Sequence, residues 1–186
     1  TTYEWFVSNP INNYNISVQI GNYVAVQDTF IKENITHYMD HYVLDYNKEI
    51  AQNYFPQSKE VIRFYEKYFG DYQWWDDGYK LIEAPYLGME HQSAVTYGNG
   101  FSIYNGVRSD SWAMYGVIDP LIIHESGHEW FGNSVTAVDP THIWIHEGLQ
   151  VYSEALYFED KFNSYPISVD YLKSIKPRIQ NKIPIV

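Results

Sequence analysis

Apolar and polar residues alternate along two early stretches of the chain, residues 14–20 and residues 36–44. A period of two places successive side chains on opposite faces of an extended backbone, so both stretches are predicted strands. Two further extended segments, residues 79–84 and 89–97, are separated by a break that includes Pro85. The first part of the chain is therefore predicted to build a sheet.

A helical period appears between residues 56 and 69 and again in the second half of the chain. Asp119 is a favourable N-cap and Pro120 a favourable first residue for a helix predicted over residues 120–131. Another helix is predicted over residues 143–158. Strands in the first part and helices in the second predict an α+β fold in which a mixed sheet packs against helices.

Composition narrows the classes of protein that remain. The chain has 186 residues, 45% hydrophobic and 19% charged, which is the composition of one folded globular domain. A net charge of −11 disfavours nucleic acid and anionic membranes as partners, and no apolar run reaches the length of a membrane segment. The chain has no cysteine, so a metal site would have to use histidine and carboxylate ligands.

An H-E-x-x-H motif lies within the predicted helix over residues 120–131. His124 and His128 are four positions apart and project from the same face, while Glu125 lies beside them, facing the position of a water. This pattern indicates one Zn²⁺ per chain. Gly127, inside the motif, costs a helix roughly 1 kcal/mol, so we expect a reason for it other than helix stability.

A catalytic zinc usually has three protein ligands, and Glu147 is the candidate for the third. It lies in the first turns of the next predicted helix, and a connection of about nine residues would allow the two helices to run antiparallel. Glu154 falls on the same face seven residues later, where it could orient a ligand imidazole. Four other histidines are assigned no role in a site: His37, His41, His142 and His146.

Three segments in order resemble a known family. Residues 124–133 resemble the HExxHxWxGN segment of the M1 family of zinc aminopeptidases, among the gluzincins, and residues 144–148 resemble its W-x-x-E-G segment. Residues 88–90, Gly-Met-Glu, resemble the family's G-x-M-E-N motif. The resemblance covers roughly residues 20–186.

The resemblance implies a thermolysin-like catalytic domain over residues 21–186, with residues 1–20 forming a junction with a preceding β domain. It also implies a C-terminally truncated piece of a longer, bacterial enzyme, whose other domains would be partners of this one. The implied substrate is a peptide with a free N-terminus, cleaved at its first peptide bond.

The resemblance also implies roles for individual residues. His124, His128 and Glu147 would bind zinc, and Glu125 would be the general base. Glu90 would bind the α-amine of the substrate, in a substrate-binding segment that includes Gly88 and Met89. Asn133 would support the site without binding the metal.

Two departures from the family pattern bear on activity. The family's Asn after the amine-binding Glu is His91 here, next to Glu90. The family's tyrosine downstream of the third ligand would fall beyond Val186. We therefore expect the isolated segment to be a weaker catalyst than its parent.

Two other functions stay open at this point. A zinc endopeptidase of the same clan would keep the metal site without needing Glu90, and a catalytically impaired module could bind sugars through its aromatic residues. An acidic chain without cysteine fits a bacterial periplasmic or secreted enzyme and also a cytoplasmic one, and we favour the bacterial periplasmic or secreted location.

Overall fold

The structure is a computed structural model that describes residue 2, residues 4–102 and residues 118–179. Within these residues one sheet contains β1 (Tyr23–Lys32), β2 (Ile35–Leu44), β3 (Lys80–Glu83), β4 (Gly88–Met89) and β5 (Ala94–Tyr97). The α-helices are α1 (Lys48–Tyr54), α2 (Ser58–Phe69), α3 (Pro120–Gly127), α4 (Trp144–Phe162) and α5 (Tyr165–Ile175). The predicted α+β class is confirmed.

A hairpin forms one side of the sheet. β1 and β2 pair antiparallel through a two-residue turn, Glu33 and Asn34, both of which have positive φ angles of 49° and 66°. Turns of this kind match the twist of the strands that they join. Buried residues alternate along both strands, which places Val26, Phe30 and Met39 on the inner face.

The predicted strand over residues 14–20 is wrong. Asn13–Asn15 form a short 3-10 turn, and residues 16–20 pair with none of the strands in the described part of the chain. Alternation makes a strand only where a neighbouring strand supplies hydrogen-bond partners, and residues 16–20 join neither outer strand of the sheet, β1 or β4. The side chains of Ile16 and Val18 are consequently exposed.

The rest of the sheet is mixed, with the order β1-β2-β3-β5-β4. β3 runs parallel to β2 and β5, and β4 is an outer strand that pairs antiparallel with β5. Residues 89–97, predicted as one extended segment, therefore divide into two strands joined by a turn at residues 90–93. This turn puts Glu90 at the end of an outer strand.

The helices pack on the inner face of the sheet around an aromatic core. Tyr65 of α2 stacks on Trp130 with ring centroids 5.0 Å apart, and Phe64 packs edge-on against Tyr157 of α4. Several tyrosines, among them Tyr65, Tyr79 and Tyr157, belong to this core. Among the described residues, no helix is long and apolar enough to cross a lipid bilayer.

The helix predicted over residues 120–131 is four residues shorter than expected. α3 ends at Gly127, and the backbone tightens through hydrogen bonds from Glu129 N to Ser126 O and from Trp130 N to Gly127 O. Bonds to the third preceding residue are typical of a helix end. His128 therefore lies in the turn that follows the helix.

Candidate metal centre

A buried carboxylate fixes the start of the helix that carries the H-E-x-x-H motif. Asp119 accepts a hydrogen bond from the backbone N–H of Leu121 at 2.8 Å, which is the predicted N-cap. The hydroxyls of Tyr97 and Tyr54 donate to the same side chain at 2.7 and 2.9 Å. Burial raises the pKa of Asp119 despite these bonds. The helix start is thus tied to α1 and β5.

Three predicted ligands converge at the other end of this helix. The Nε2 atoms of His124 and His128 are 3.2 Å apart. The carboxylate of Glu147 on the first turn of α4 lies 3.5 Å from Nε2 of His124 and 3.8 Å from Nε2 of His128. The residues that sequence spacing suggested as ligands therefore share one small volume.

Hydrogen bonds to the far side of each ring determine which nitrogen faces this volume. Nδ1 of His124 lies 2.6 Å from Oε1 of Glu154, and Nδ1 of His128 lies 2.9 Å from the carbonyl oxygen of Phe131. Both partners are acceptors, so each Nδ1 carries the hydrogen. Each Nε2 then faces the carboxylate of Glu147, the position from which a neutral imidazole binds a metal.

The electrostatics of this centre favour a bound cation. Burial lowers the pKa of His124, but the carboxylates of Glu147 and Glu154 outweigh burial and raise the pKa to about 10. Burial, and next the charge of His124, lower the pKa of His128. Two imidazole nitrogens and one carboxylate are the donor set of catalytic zinc sites, so the residues present fit Zn²⁺.

Glu125 lies between the predicted metal ligands and the outer strand. A Cβ built on Gly88 of β4 would be 2.6 Å from Oε1 of Glu125 and 2.9 Å from a methyl carbon of Leu121. A larger residue at this position would have to displace the side chains of Glu125 and Leu121. A carboxylate oxygen of Glu90 and a carboxylate oxygen of Glu125 lie within 4.8 Å of each other. Both also lie within 4.8 Å of a ring nitrogen of His128.

Glu90 is buried at the end of β4, where a tight turn holds it. The N–H of His91 donates to Met89 O, and the N–H of Ala94 donates to His91 O, both at 3.0 Å. The ring of His91, which replaces the family's asparagine, bonds to the hydroxyl of Thr96 on β5 at 2.8 Å. Burial lowers the pKa of this imidazole.

Comparison with known proteins decides the family. A profile described as "Peptidase family M1 domain" matches residues 53–182, well over half of the chain. The chain belongs to peptidase family M1. The resemblance to this family that the sequence motifs indicated is confirmed.

Individual relatives agree with this assignment. The M1 chain is 31% identical to human endoplasmic reticulum aminopeptidase 2 over 136 residues, which are 69% of this chain and 14% of the relative. It is 29% identical to human aminopeptidase B over 147 residues, 78% of this chain and 20% of the relative. The chain therefore spans between a seventh and a fifth of the length of these relatives.

Solved structures share the fold. The M1 zinc metallopeptidase from Deinococcus radiodurans superposes with a TM-score of 0.63 at 18% identity, over 89% of this chain and 34% of that chain. A mutant of a two-domain M1 zinc metallopeptidase bound to L-tryptophan also superposes with a TM-score of 0.63. The sequence identity is 19%, over 84% of this chain and 33% of that chain.

Two supporting residues predicted for the M1 chain lie in different places. Glu154 contacts the ligand His124, as the helical spacing suggested, and is fully buried. Asn133 instead contacts the Glu90 turn, since its Nδ2 donates to Glu90 O at 3.0 Å. The side chain of Asn133 therefore supports the residue expected to bind the amine, while its backbone N–H donates to the carbonyl oxygen of His128 at 2.9 Å.

Sequence reasoning missed three residues of this site. Tyr171 on α5 donates its hydroxyl to Glu154. Glu129 is buried beside the Glu90 turn, and burial raises the pKa of its carboxyl to about 8. Burial, followed by the charge of Glu90, raises the pKa of Tyr14 to about 12. Glu129 had a visible signal, a carboxylate next to Trp130 inside the motif, whereas the other two are distant in sequence.

The reason for Gly127 in the motif is the packing of helices. A Cβ at this position would overlap the hydroxyl of Tyr65 on α2 and the side-chain amide of Gln150 on α4. These two groups bond to each other at 2.7 Å, and both bond to the carbonyl of Ile123. The glycine therefore allows three helices to meet beside the metal ligands.

Proposed function

We propose that this chain is the catalytic part of a zinc aminopeptidase that hydrolyses the first peptide bond of peptides with a free α-amine. His124, His128 and Glu147 would hold one Zn²⁺. When bound, zinc supplies a Lewis acid that polarises the scissile carbonyl and lowers the pKa of a water to near 7. The general base and the group that binds the substrate amine are assigned to side chains of the protein.

Glu125 is the proposed general base. Its carboxylate lies next to the metal ligands yet is separate from the three that converge, and its position against Gly88 holds it at the outer strand. It would take the proton of the attacking water and deliver it to the leaving amine. One carboxylate would thus serve both steps.

The single observation that favours an aminopeptidase is the position of Glu90. Its carboxylate lies within 4.8 Å of both the Glu125 carboxylate and a ring nitrogen of His128. A substrate ammonium paired with Glu90 can extend its chain only a short way before the scissile bond reaches the general base. Cleavage would therefore be restricted to the first residue. An endopeptidase would have no use for a carboxylate in this place.

The test compares an L-leucyl anilide with its N-acetyl form, using the zinc-loaded chain. We expect the free amine to be cleaved faster, and Glu90→Gln to remove this preference by losing a contact worth about 10-fold or more. Glu125→Gln should keep zinc, measured by mass spectrometry, while turnover falls by about 10²-fold or more. The exposed Glu49→Gln is the matched control.

Two outcomes would contradict the proposal. Equal cleavage of the acetylated and free substrates would support an endopeptidase of the same clan. Full zinc occupancy after replacement of both His124 and His128 by Ala would contradict the assigned metal centre.

Three expectations from the sequence stay predictions. They are the further domains of a longer polypeptide, the domain boundary at residue 20, and a bacterial periplasmic or secreted location.

A further inference from the structure

The side-chain amide of Asn133 has all of its hydrogen-bonding capacity occupied. Its Oδ1 accepts from Nδ2 of Asn15 at 2.8 Å and from the hydroxyl of Tyr14 at 3.4 Å. Its Nδ2 donates to Glu90 O at 3.0 Å and to Oε2 of Glu129 at 3.2 Å. An amide has two acceptor sites and two donor hydrogens, so each has a partner here. The residue is 6% exposed.

The turn that carries Glu90 is held at both ends by this group and its neighbour. Asn133 bonds to the carbonyl of Glu90 at the first residue of the turn. At the last residue, Ser93 adopts a positive φ of 57° and its N–H donates to Oε1 of Glu129 at 2.7 Å. The second oxygen of Glu129 accepts from Asn133, so the hydrogen bonds at the two ends of the turn belong to one connected unit.

This unit follows directly on the metal ligand His128. Glu129 is the next residue, and the N–H of Asn133 donates to His128 O at 2.9 Å. The turn bearing Glu90 is thus attached to the same short segment that carries a metal ligand. A rigid connection of this kind sets the distance between a metal and a charged group.

We propose that Asn133 is a positioning residue that, with Glu129, holds the Glu90 carboxylate at the distance from the metal ligands at which it accepts a substrate α-ammonium. The inference rests on the proposed function, because it assumes that Glu90 binds the amine. It assigns the preference for a free N-terminus to a segment joined to the metal centre, in addition to Glu90 itself.

The amide matters because both of its donors face oxygen atoms. Asn133→Asp keeps the shape of the side chain but replaces Nδ2 by an acceptor opposite the carbonyl of Glu90 and the carboxyl of Glu129. The hydrogen bond to the carbonyl of Glu90 becomes a repulsive contact between two acceptors. The turn should then move, and Glu90 with it, while the three metal ligands keep their own hydrogen bonds.

The experiment measures binding, so it does not depend on turnover. Calorimetry gives the Kd of the zinc-loaded chain for L-leucine hydroxamate and for 4-methylpentanoic hydroxamic acid, which differ only in the α-amino group. We expect the wild-type chain to bind the amino form about 10-fold or more tightly, and Asn133→Asp to reduce this ratio to within about twofold of the Glu90→Gln value. Adding Asn133→Asp to Glu90→Gln should change the ratio no further.

Controls separate positioning from a general effect on the fold. Asn53→Asp makes the same chemical change on the exposed face of α1 and should keep the wild-type ratio. Zinc affinity and thermal unfolding are measured on each variant. If Asn133→Asp fails to fold, Asn133→Ser, which removes both donors without adding charge, is measured in its place.

The outcomes distinguish this inference from the function on which it rests. A wild-type ratio near one, or one that Glu90→Gln leaves unchanged, would overturn the amine-binding role of Glu90. A ratio that depends on Glu90 but is unchanged in the Asn133 variants would overturn the positioning role alone. Equal weakening of both hydroxamates by Asn133→Asp would also overturn it, since only the metal centre would then have been disturbed.

Discussion

Glu154 holds His124 from the side opposite the metal position, with Oε1 of the carboxylate 2.6 Å from Nδ1 of the ring. The hydroxyl of Tyr171 donates to the other oxygen of the same carboxylate. Glu154 and Tyr171 are both fully buried, so neither bond is weakened by competition with water. The orientation of the proposed metal ligand His124 on α3 therefore depends on α4 and α5.

Removing the charge of Glu154 should weaken zinc binding. Partners that fix a ligand imidazole commonly contribute 10- to 100-fold to metal affinity, so we expect Glu154→Gln to lower the affinity about 10-fold and Glu154→Ala by up to about 100-fold. The affinity is measured by competition with a chelator. Glu49→Gln, at an exposed position on α1, should bind zinc like the wild type. Unchanged affinity in Glu154→Ala would show that the contact does not support the ligand.

Gly127→Ala should destabilise the chain although alanine favours helices. The added methyl group would overlap Tyr65 and Gln150, and overpacking of this kind costs about 1–3 kcal/mol. Gly148→Ala is the matched control, because its Cβ would meet only the Cβ of Trp144, at 3.8 Å. That variant should gain up to about 1 kcal/mol. Urea unfolding measures both, and a stabilised Gly127→Ala would contradict the packing argument.

Gly88→Ala should impair turnover while zinc stays bound. A methyl group on β4 would press against the carboxylate of Glu125 and against Leu121, moving the proposed base away from its position. Misplacement by about 1 Å can cost about 10²-fold, so kcat for an L-leucyl anilide should fall by roughly 10- to 100-fold. Zinc content is determined on the same sample. Wild-type kcat in this variant would mean that Glu125 tolerates displacement.

The stability of the fold should decrease in acid partly because of His41, a buried residue of β2. Its Nδ1 accepts from the N–H of Leu81 at 2.9 Å, and burial lowers its pKa to about 3. Between pH 6.5 and 3 the unfolded chain then binds more protons at this residue than the folded chain does. The contribution of His41 to the free energy of unfolding is therefore complete above pH 6.5. It decreases as the pH falls through this window, by up to about 1.4 kcal/mol per pH unit.

Urea unfolding between pH 7 and 4, with a chelator present so that metal release adds nothing, measures this slope. His41→Gln keeps an acceptor for Leu81 N and should give a smaller slope, even if it is less stable at pH 7. His142→Gln, in the surface 3-10 turn Pro140–His142, should keep the wild-type slope. Equal slopes for His41→Gln and the wild type would rule out the buried neutral imidazole.

Much of the metal centre could be predicted from local sequence. The spacing of His124 and His128 is a property of one helical turn, and Asp119 caps the helix through a backbone N–H only two residues away. The helical position of Glu154 relative to Glu147 follows from the same period. Such features depend on bonds between near neighbours, which the rest of the fold alters little.

Tertiary contacts decided what local patterns could not. Residues 14–20 alternate like a strand, yet they join neither outer strand of the sheet, β1 or β4. Asn133 was expected to support the metal site, but the turn after β4 places the carbonyl oxygen of Glu90 against its side-chain amide. The amino-acid sequence by itself determined which side chains could bind a metal, because helical periodicity is local. Only the packing of the sheet and helices decided which of them meet, because contacts between distant segments depend on which surfaces are already buried.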